Sequence, residues 1–353
     1  PSAVSSGKPG IAWLAGQASM LLYIRYIDLN YTPKLKLAFF LQDANPFGFT
    51  IGIKMPGGLE EKLRDRELPE IFERYELQSN FLKNSWDTLT TVLLILAIIF
   101  VLSLVKIVTA AKCTRINRAF AAILGSLKWN TPLMVLCGSF GKVYFDASLQ
   151  LQAGSGDSLW EVISVGLAVV MIFIGMIILG LSIKVVKDIW RSREEMEKKW
   201  ENFQLFFESY RRNSFVSFGY MAIFLARSVL FNLIIANLYN YPLAQSILIN
   251  LITFVMVGYL MHERPLKHLL EFVQLLANEI FVIIVNTCAL MIAIMDKANI
   301  RGQDLRDDLC NTIMTILSVF SSFNLGFFVL QILVVSFFLI RVLRRLKAQD
   351  QLN

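Results

Sequence analysis

The chain has 353 residues, 56% of them hydrophobic and 17% charged, with a mean hydropathy of +0.56. Soluble domains carry roughly 25% charged residues, and apolar runs of bilayer length recur here. This excludes an ordinary soluble domain and predicts an all-α, polytopic helical membrane protein. The net charge of +7 comes from Lys and Arg gathered in alternate loops, which reads as membrane topology and not as nucleic-acid binding.

The chain opens at PSAVSSGKPG without an initiator Met or a signal peptide, so the expectation is a fragment whose further domains lie before Pro1. A first span is expected at Ile11 to Ile27, interrupted by Gln17 and Arg25, so that residues 1–28 form one unit. Residues 29–83 carry Pro33, Pro46, Pro56 and Pro69 with mixed charge, and read as a small juxtamembrane cap and linker on one membrane face. Spans two to four occupy 84–186. Thr88 to Val105 is free of charge, and Lys106, Lys112, Arg115, Arg118 and Lys128 form a basic loop after it. The third span, about Pro132 to Leu151, contains Lys142 and Asp146, four residues apart and able to neutralise each other on one helix face. The turn 154–157 leads to a fourth span, Val162 to Ile183, whose Gly166, Gly175 and Gly180 suit close helix contact.

Residues 187–213 mix basic and acidic side chains with Trp190, Trp200 and several Phe, and are expected to form an amphipathic helix along the headgroups. Spans five to eight fill 214–345. The uncharged stretch Ser228 to Met261 is too long for one crossing, and Pro242 divides it into a hairpin of two spans, the first holding Arg227. The last span runs uncharged from Leu309 to Ile340, about 48 Å of helix against a core of roughly 30 Å. It must therefore protrude or bend near Ser321, Ser322, Asn324 and Gly326. A tail at 346–353 follows. Positive loops stay cytosolic, giving about eight spans, a cytosolic C-terminus and an external 29–83 cap.

The segment Arg264 to Asp296 holds the most informative polar residues. Arg264-Pro265 is expected at its helix entrance. Glu271, Glu279 and Asn286 fall on one stripe of the helix, with Asn278 beside it. A carboxylate at membrane depth faces protein, water or an ion. Glu279 therefore reads either as a helix-to-helix hydrogen-bond partner or as part of an ion path. With Lys142, Asp146, Arg227 and Asn324, these residues are the candidate intramembrane polar set; Gln17, Arg25, Asn232 and Asn250 are further polar groups within spans.

No P-loop, HExxH, GxSxG or CxxC pattern is present, so no enzyme and no catalytic residue is expected. The four scattered cysteines and the loop residues His262 and His268 indicate no disulfide framework, no metal and no cofactor.

Several short segments carry a family resemblance. They are Ser6-Gly7-Lys8-Pro9, Gln17, Tyr31-Thr32-Pro33, FERYELQSNFLKNSWDTL before span two, and Glu263-Arg264-Pro265 leading to Asn278-Glu279. In these the chain resembles the C-terminal multi-span module of large ciliate and algal surface proteins, itself similar to fungal TRP-like membrane proteins. The resemblance implies a plasma or ciliary membrane location and an N-terminal ectodomain before Pro1. It also implies either cation (calcium) conduction or anchoring of an external structure. The expected partners are the lipid bilayer, that ectodomain, and further subunits in a homo- or hetero-oligomer or an extracellular structural partner. A non-conducting anchor or receptor subunit for adhesion, mating or an extracellular filament is the alternative.

Overall fold

Helices follow the apolar runs. The computed structural model describes residues 8–41, 52–109, 124, 130–154, 158–300 and 302–350. Among them there is one isolated bridge, between Tyr210 and Leu266, and no strand. Helix is the natural answer for such sequences in lipid, because it satisfies every backbone N–H and C=O within the segment. The helices used below are α1 (Lys8–Leu22), α2 (Pro33–Leu41), α3 (Trp86–Thr109), α4 (Asn130–Gly138), α5 (Phe140–Ala153), α6 (Leu159–Arg191), α7 (Tyr220–Asn237), α8 (Pro242–Glu263), α9 (Leu269–Lys297) and α10 (Gln303–Asp350). Six of these (α3, α6, α7, α8, α9 and the Gln303–Gln331 part of α10) are long and apolar enough to cross a bilayer. The architecture is that of an all-α, multi-pass membrane protein.

α1 is short, and from Trp13 onward nearly all its side chains are buried. It continues as a single 3₁₀ turn, Tyr23–Tyr26. α4, α5, α7 and α9 pack around it. The third apolar run is two helices rather than one, broken between Gly138 and Phe140; a Gly-Ser pair is a common place for such a break. α3 is at the other extreme, with Leu93, Phe100, Val101, Ile107 and Val108 exposed, as a lipid-facing helix requires.

Two aromatic clusters close the ends of the bundle. At one end Trp13 packs on Tyr210 and Tyr220, ring centroids 5.9 and 5.7 Å away. At the other, Phe145 is packed among Tyr23, Tyr26 and Phe72 at 5.0 to 5.8 Å. The same ends are marked by backbone bonds. Arg211 N–H donates to Pro265 O and Lys267 N–H to Ser209 O, joining the segments after α6 and α8. At the opposite end Asn30 N–H donates to the Asp296 carboxylate, and the side chains of Arg66 (Nη1) and Gln152 (Nε2) donate to Ala153 O and Ala236 O.

Several details differ from the sequence expectation. Arg264 does not open a helix. It caps α8 with a left-handed φ of 44°, and α9 begins only at Leu269, because the Arg264-Pro265 pair sits in the turn between them. The region 187–213 is not one amphipathic helix: α6 runs on to Arg191, and then come a short helix, Arg193–Lys199, and a 3₁₀ segment, Glu201–Phe206. α10 stays helical through Ser321–Gly326 over 48 residues, about 72 Å at 1.5 Å per residue. Its seryl hydroxyls donate to carbonyls one turn back, Ser321 to Leu317 and Ser322 to Ser318, which keeps them compatible with the helix. The Ser6-Gly7 pair, most of the basic loop between α3 and α4, and positions 155–157 of the next turn lie outside the described residues.

Close helix approach depends on glycines other than the full set expected. Gly175 faces Tyr144 of α5, whereas Gly166 and Gly180 have open space beside them. The tightest approach is α5 on α7, where a Cβ at Gly141 would stand 2.4 Å from Asn232 Nδ2 and 2.7 Å from Ser228 Oγ. Gly141→Leu is therefore expected to destabilise the fold by about 1–3 kcal/mol through overpacking. Gly166→Leu should be near neutral. Thermal unfolding of the two variants in one detergent checks this; equal midpoints would contradict the α5–α7 packing.

Candidate functional site: a buried polar ladder

Of the α9 stripe expected from spacing, Glu279 and Asn286 face inward with Asn278 beside them, and Glu271 is half-buried. Asn278, Glu279 and Asn286 are all buried, and Glu279 is fully so. The reason lies in the helices opposite, which bring complementary groups to the same level. Arg227 of α7 places Nη1 2.5 Å from Glu279 Oε1. Gln17 of α1 donates from Nε2 to the same carboxylate oxygen at 2.8 Å and to Leu275 O at 3.4 Å. Three helices therefore converge on one carboxylate.

From there the hydrogen bonds continue toward α10. Asn278 Nδ2 donates to Gln17 Oε1 at 3.1 Å and to Asn324 Oδ1 at 3.0 Å. Asn324 Nδ2 returns a bond to Asn278 Oδ1 at 3.0 Å, closing a reciprocal amide pair. Gln274 Nε2 donates to Asn324 Oδ1 at 2.9 Å, and Gln331 Nε2 to Gln274 Oε1 at 3.1 Å. The ladder thus runs Arg227–Glu279–Gln17–Asn278–Asn324–Gln274–Gln331 and stitches α1, α7, α9 and α10 together. Gln274 and Gln331 were not singled out from sequence. Their signal was available: Gln274 precedes Asn278 by four residues and Gln331 follows Asn324 by seven, so each shares a helix face with a named member.

Asn286 belongs to a separate set between α8 and α9. Asn250 Nδ2 donates to Asn286 O at 2.8 Å, Asn286 Nδ2 to Thr253 Oγ1 at 3.1 Å, and Thr287 Oγ1 to Asn250 Oδ1 at 3.2 Å. Glu271 lies two turns before Glu279 and lines a small pocket with Trp13, Gln17 and Gln274, so it borders the ladder without bonding to it. Asn232 donates to Ser228 O, within its own helix. Lys142 and Asp146 are placed differently from the ion pair their spacing suggests. Asp146 is buried and accepts from Ser85 Oγ at 2.7 Å, while half-buried Lys142 makes no ion pair with it. The carboxylate turns inward to the start of α3.

Arg25 works at the aromatic end, donating to Phe39 O at 2.9 Å and to Tyr26 Oη at 2.7 Å, with its guanidinium over the rings of Tyr26 and Tyr75. Burial raises the Tyr75 phenol, against the opposing charges of Arg25 and Arg74. At the other end, burial holds the Tyr210 phenol well above the ordinary tyrosine range. Both therefore stay neutral packing groups near pH 7.

Chemically, the ladder joins helices. A charge at this depth is costly unless paired, and amides in lipid gain from bonding across helices. Arg227 Nε and Nη2 and Glu279 Oε2 have no partner among the described residues, so the pair is not saturated. Such a pair fixes register more than it adds stability. Among the described residues no three His, Cys, Asp or Glu side chains gather as a metal group.

The ladder makes an ordering of effects. Gln17→Leu removes a bond to a charged acceptor and should destabilise by about 1.5–3 kcal/mol. Gln331→Leu, at the half-buried end of the ladder, should cost no more than about 1 kcal/mol. Unfolding of both variants in lipid nanodiscs measures the order, and a reversed order would contradict the connectivity.

No protein family, curated protein or solved structure matches this chain.

Proposed function

We propose that this chain is the membrane module of a cell-surface assembly, holding an external structure in the bilayer without itself conducting ions. One observation carries the reading: the Glu279 carboxylate is fully buried and paired with Arg227. A fully buried carboxylate whose charge is offset by a guanidinium, and whose Oε1 also accepts from Gln17, is poorly placed to meet a passing cation. The remaining ladder groups bond to one another in the same way.

In this reading α1 and the α4–α5 pair cross the bilayer as well, which brings the crossings to eight. The end where Arg211 meets Pro265 and Lys267 meets Ser209 is rich in Lys and Arg, so the positive-inside rule puts it in the cytosol, with the basic end of α10. The opposite end, with Asn30, Arg66 and Asp296, faces outward and receives the external structure. The family resemblance supplies the setting: a plasma or ciliary membrane, and an ectodomain or filament as the anchored partner.

A second reading, TRP-like cation conduction between copies of the chain, is favoured by a feature of α10. Asn311, Thr315, Ser318 and Ser322 are exposed along its outward side, at four-three-four spacing, within the uncharged run. The exposed face of α3, by contrast, is apolar. A polar stripe at membrane depth suits a hydrated lumen better than acyl chains.

Planar-bilayer recording of the purified chain separates the two. The anchor reading expects background current from the wild type and from Glu279→Gln across voltages and calcium levels. A cation current lost in Ser318→Leu and retained in Glu279→Gln would replace it with the second reading. A current abolished by Glu279→Gln would contradict the closed ladder itself.

A further inference from the structure

The 29–83 region is expected to lie on the membrane face, yet its first helix sits lower than that. α2 has nine residues and is entered through Pro33. Leu35 and Phe39, four apart, are fully buried. They share a core cluster with Cys310, Ile313 and Leu317 of α10, and α2 packs directly against α10. Those α10 residues all lie beyond Leu309, in its uncharged run. Tyr31, whose ring meets that of Phe39 at 5.6 Å, lies close enough to Cys310 to feel its charge, so α2 sits beside the start of the uncharged run of α10.

Its other face is apolar and open. Leu37, Phe40 and Leu41, at positions i, i+3 and i+4, are 58%, 49% and 74% exposed. Lys34 and Lys36 stand at the start of the helix, which holds no acidic residue. We propose that α2 is a short interfacial helix sunk into the leaflet at that end. Leu37, Phe40 and Leu41 lie among acyl chains, and Lys34 and Lys36 sit at the level of the lipid phosphates.

Two features select lipid as the occupant. The face is apolar like the exposed faces of the spanning helices, as at Leu93 and Phe100 of α3 and Val319 of α10. The lysines complement phosphate charge, the pattern of an interfacial helix. Arg25, in the 3₁₀ turn that follows α1, donates to Phe39 O, so α2 is also tied to the segment that carries Gln17. The proposal rests on the membrane reading alone and is indifferent to whether the module conducts.

Spin labels at Lys34→Cys, Leu37→Cys, Phe40→Cys and Leu41→Cys test it, with the four native cysteines replaced and the full chain in phosphatidylcholine–phosphatidylglycerol vesicles. Collision with oxygen should exceed collision with a water-soluble nickel chelate at 37, 40 and 41, and the order should reverse at 34. Nickel-favoured collision at 37 and 40 means an aqueous helix and overturns the proposal. Exclusion of both relaxers means a protein-covered face, whether a second copy or another chain, and also overturns it. A Phe40→Trp variant that keeps the native cysteines gives an independent reading. Lipids brominated on the acyl chain should quench its added emission relative to wild type, and unchanged emission counts against insertion.

Discussion

The ion pair between Arg227 and Glu279 constrains the positions of everything around it. Two charges removed from water at membrane depth are tolerated only while they remain within bonding distance. A slip of α9 by one residue would rotate Glu279 by about 100°, away from α7 and into apolar packing. α7 and α9 are therefore held in one rotation and one register. Gln17 extends the constraint to α1, because its amide meets both the carboxylate and the Asn278 amide. The Asn278–Asn324 pair then fixes α10. A bundle in lipid lacks the hydrophobic drive that orders helices in water, and directional polar contacts of this kind supply specificity instead.

The two aromatic clusters complete the arrangement. Trp13 and Phe145 each sit among rings at opposite ends of the bundle, so α1 is gripped at its ends and pinned at its centre. This explains how a helix of 15 residues, interrupted by Gln17, holds its place without an outward apolar face. Gly16 matters for the same reason: a Cβ there would come within 2.6 Å of Phe224.

Much of the fold was legible in the sequence because bilayer thickness is a strict ruler. Uncharged runs such as Thr88 to Val105 locate helices directly, and Pro242 divides a hairpin by its missing N–H. The site was half legible. Glu271, Glu279 and Asn286 share a stripe by helix geometry, but spacing within one helix says nothing of what stands opposite. Arg227 and Glu279 are 52 positions apart, and only packing reveals them as a pair. The same limit applies to Asp146, where spacing within one helix points to Lys142 but does not reveal the bond from Ser85 of another segment. The packing of α2 against α10 was hidden because nine residues are too few to register as a span by hydropathy.

The account depends most on the pairing of Arg227 with Glu279, and a double-mutant cycle with methionine at both positions measures it directly. Arg227→Met or Glu279→Met alone leaves one buried charge without its partner, and should cost about 3–5 kcal/mol of stability. The double variant removes both charges and keeps apolar volume, so its unfolding midpoint in lipid nanodiscs should recover above that of either single variant. A double variant no more stable than the worse single one, or single variants that unfold like the wild type, would contradict the account.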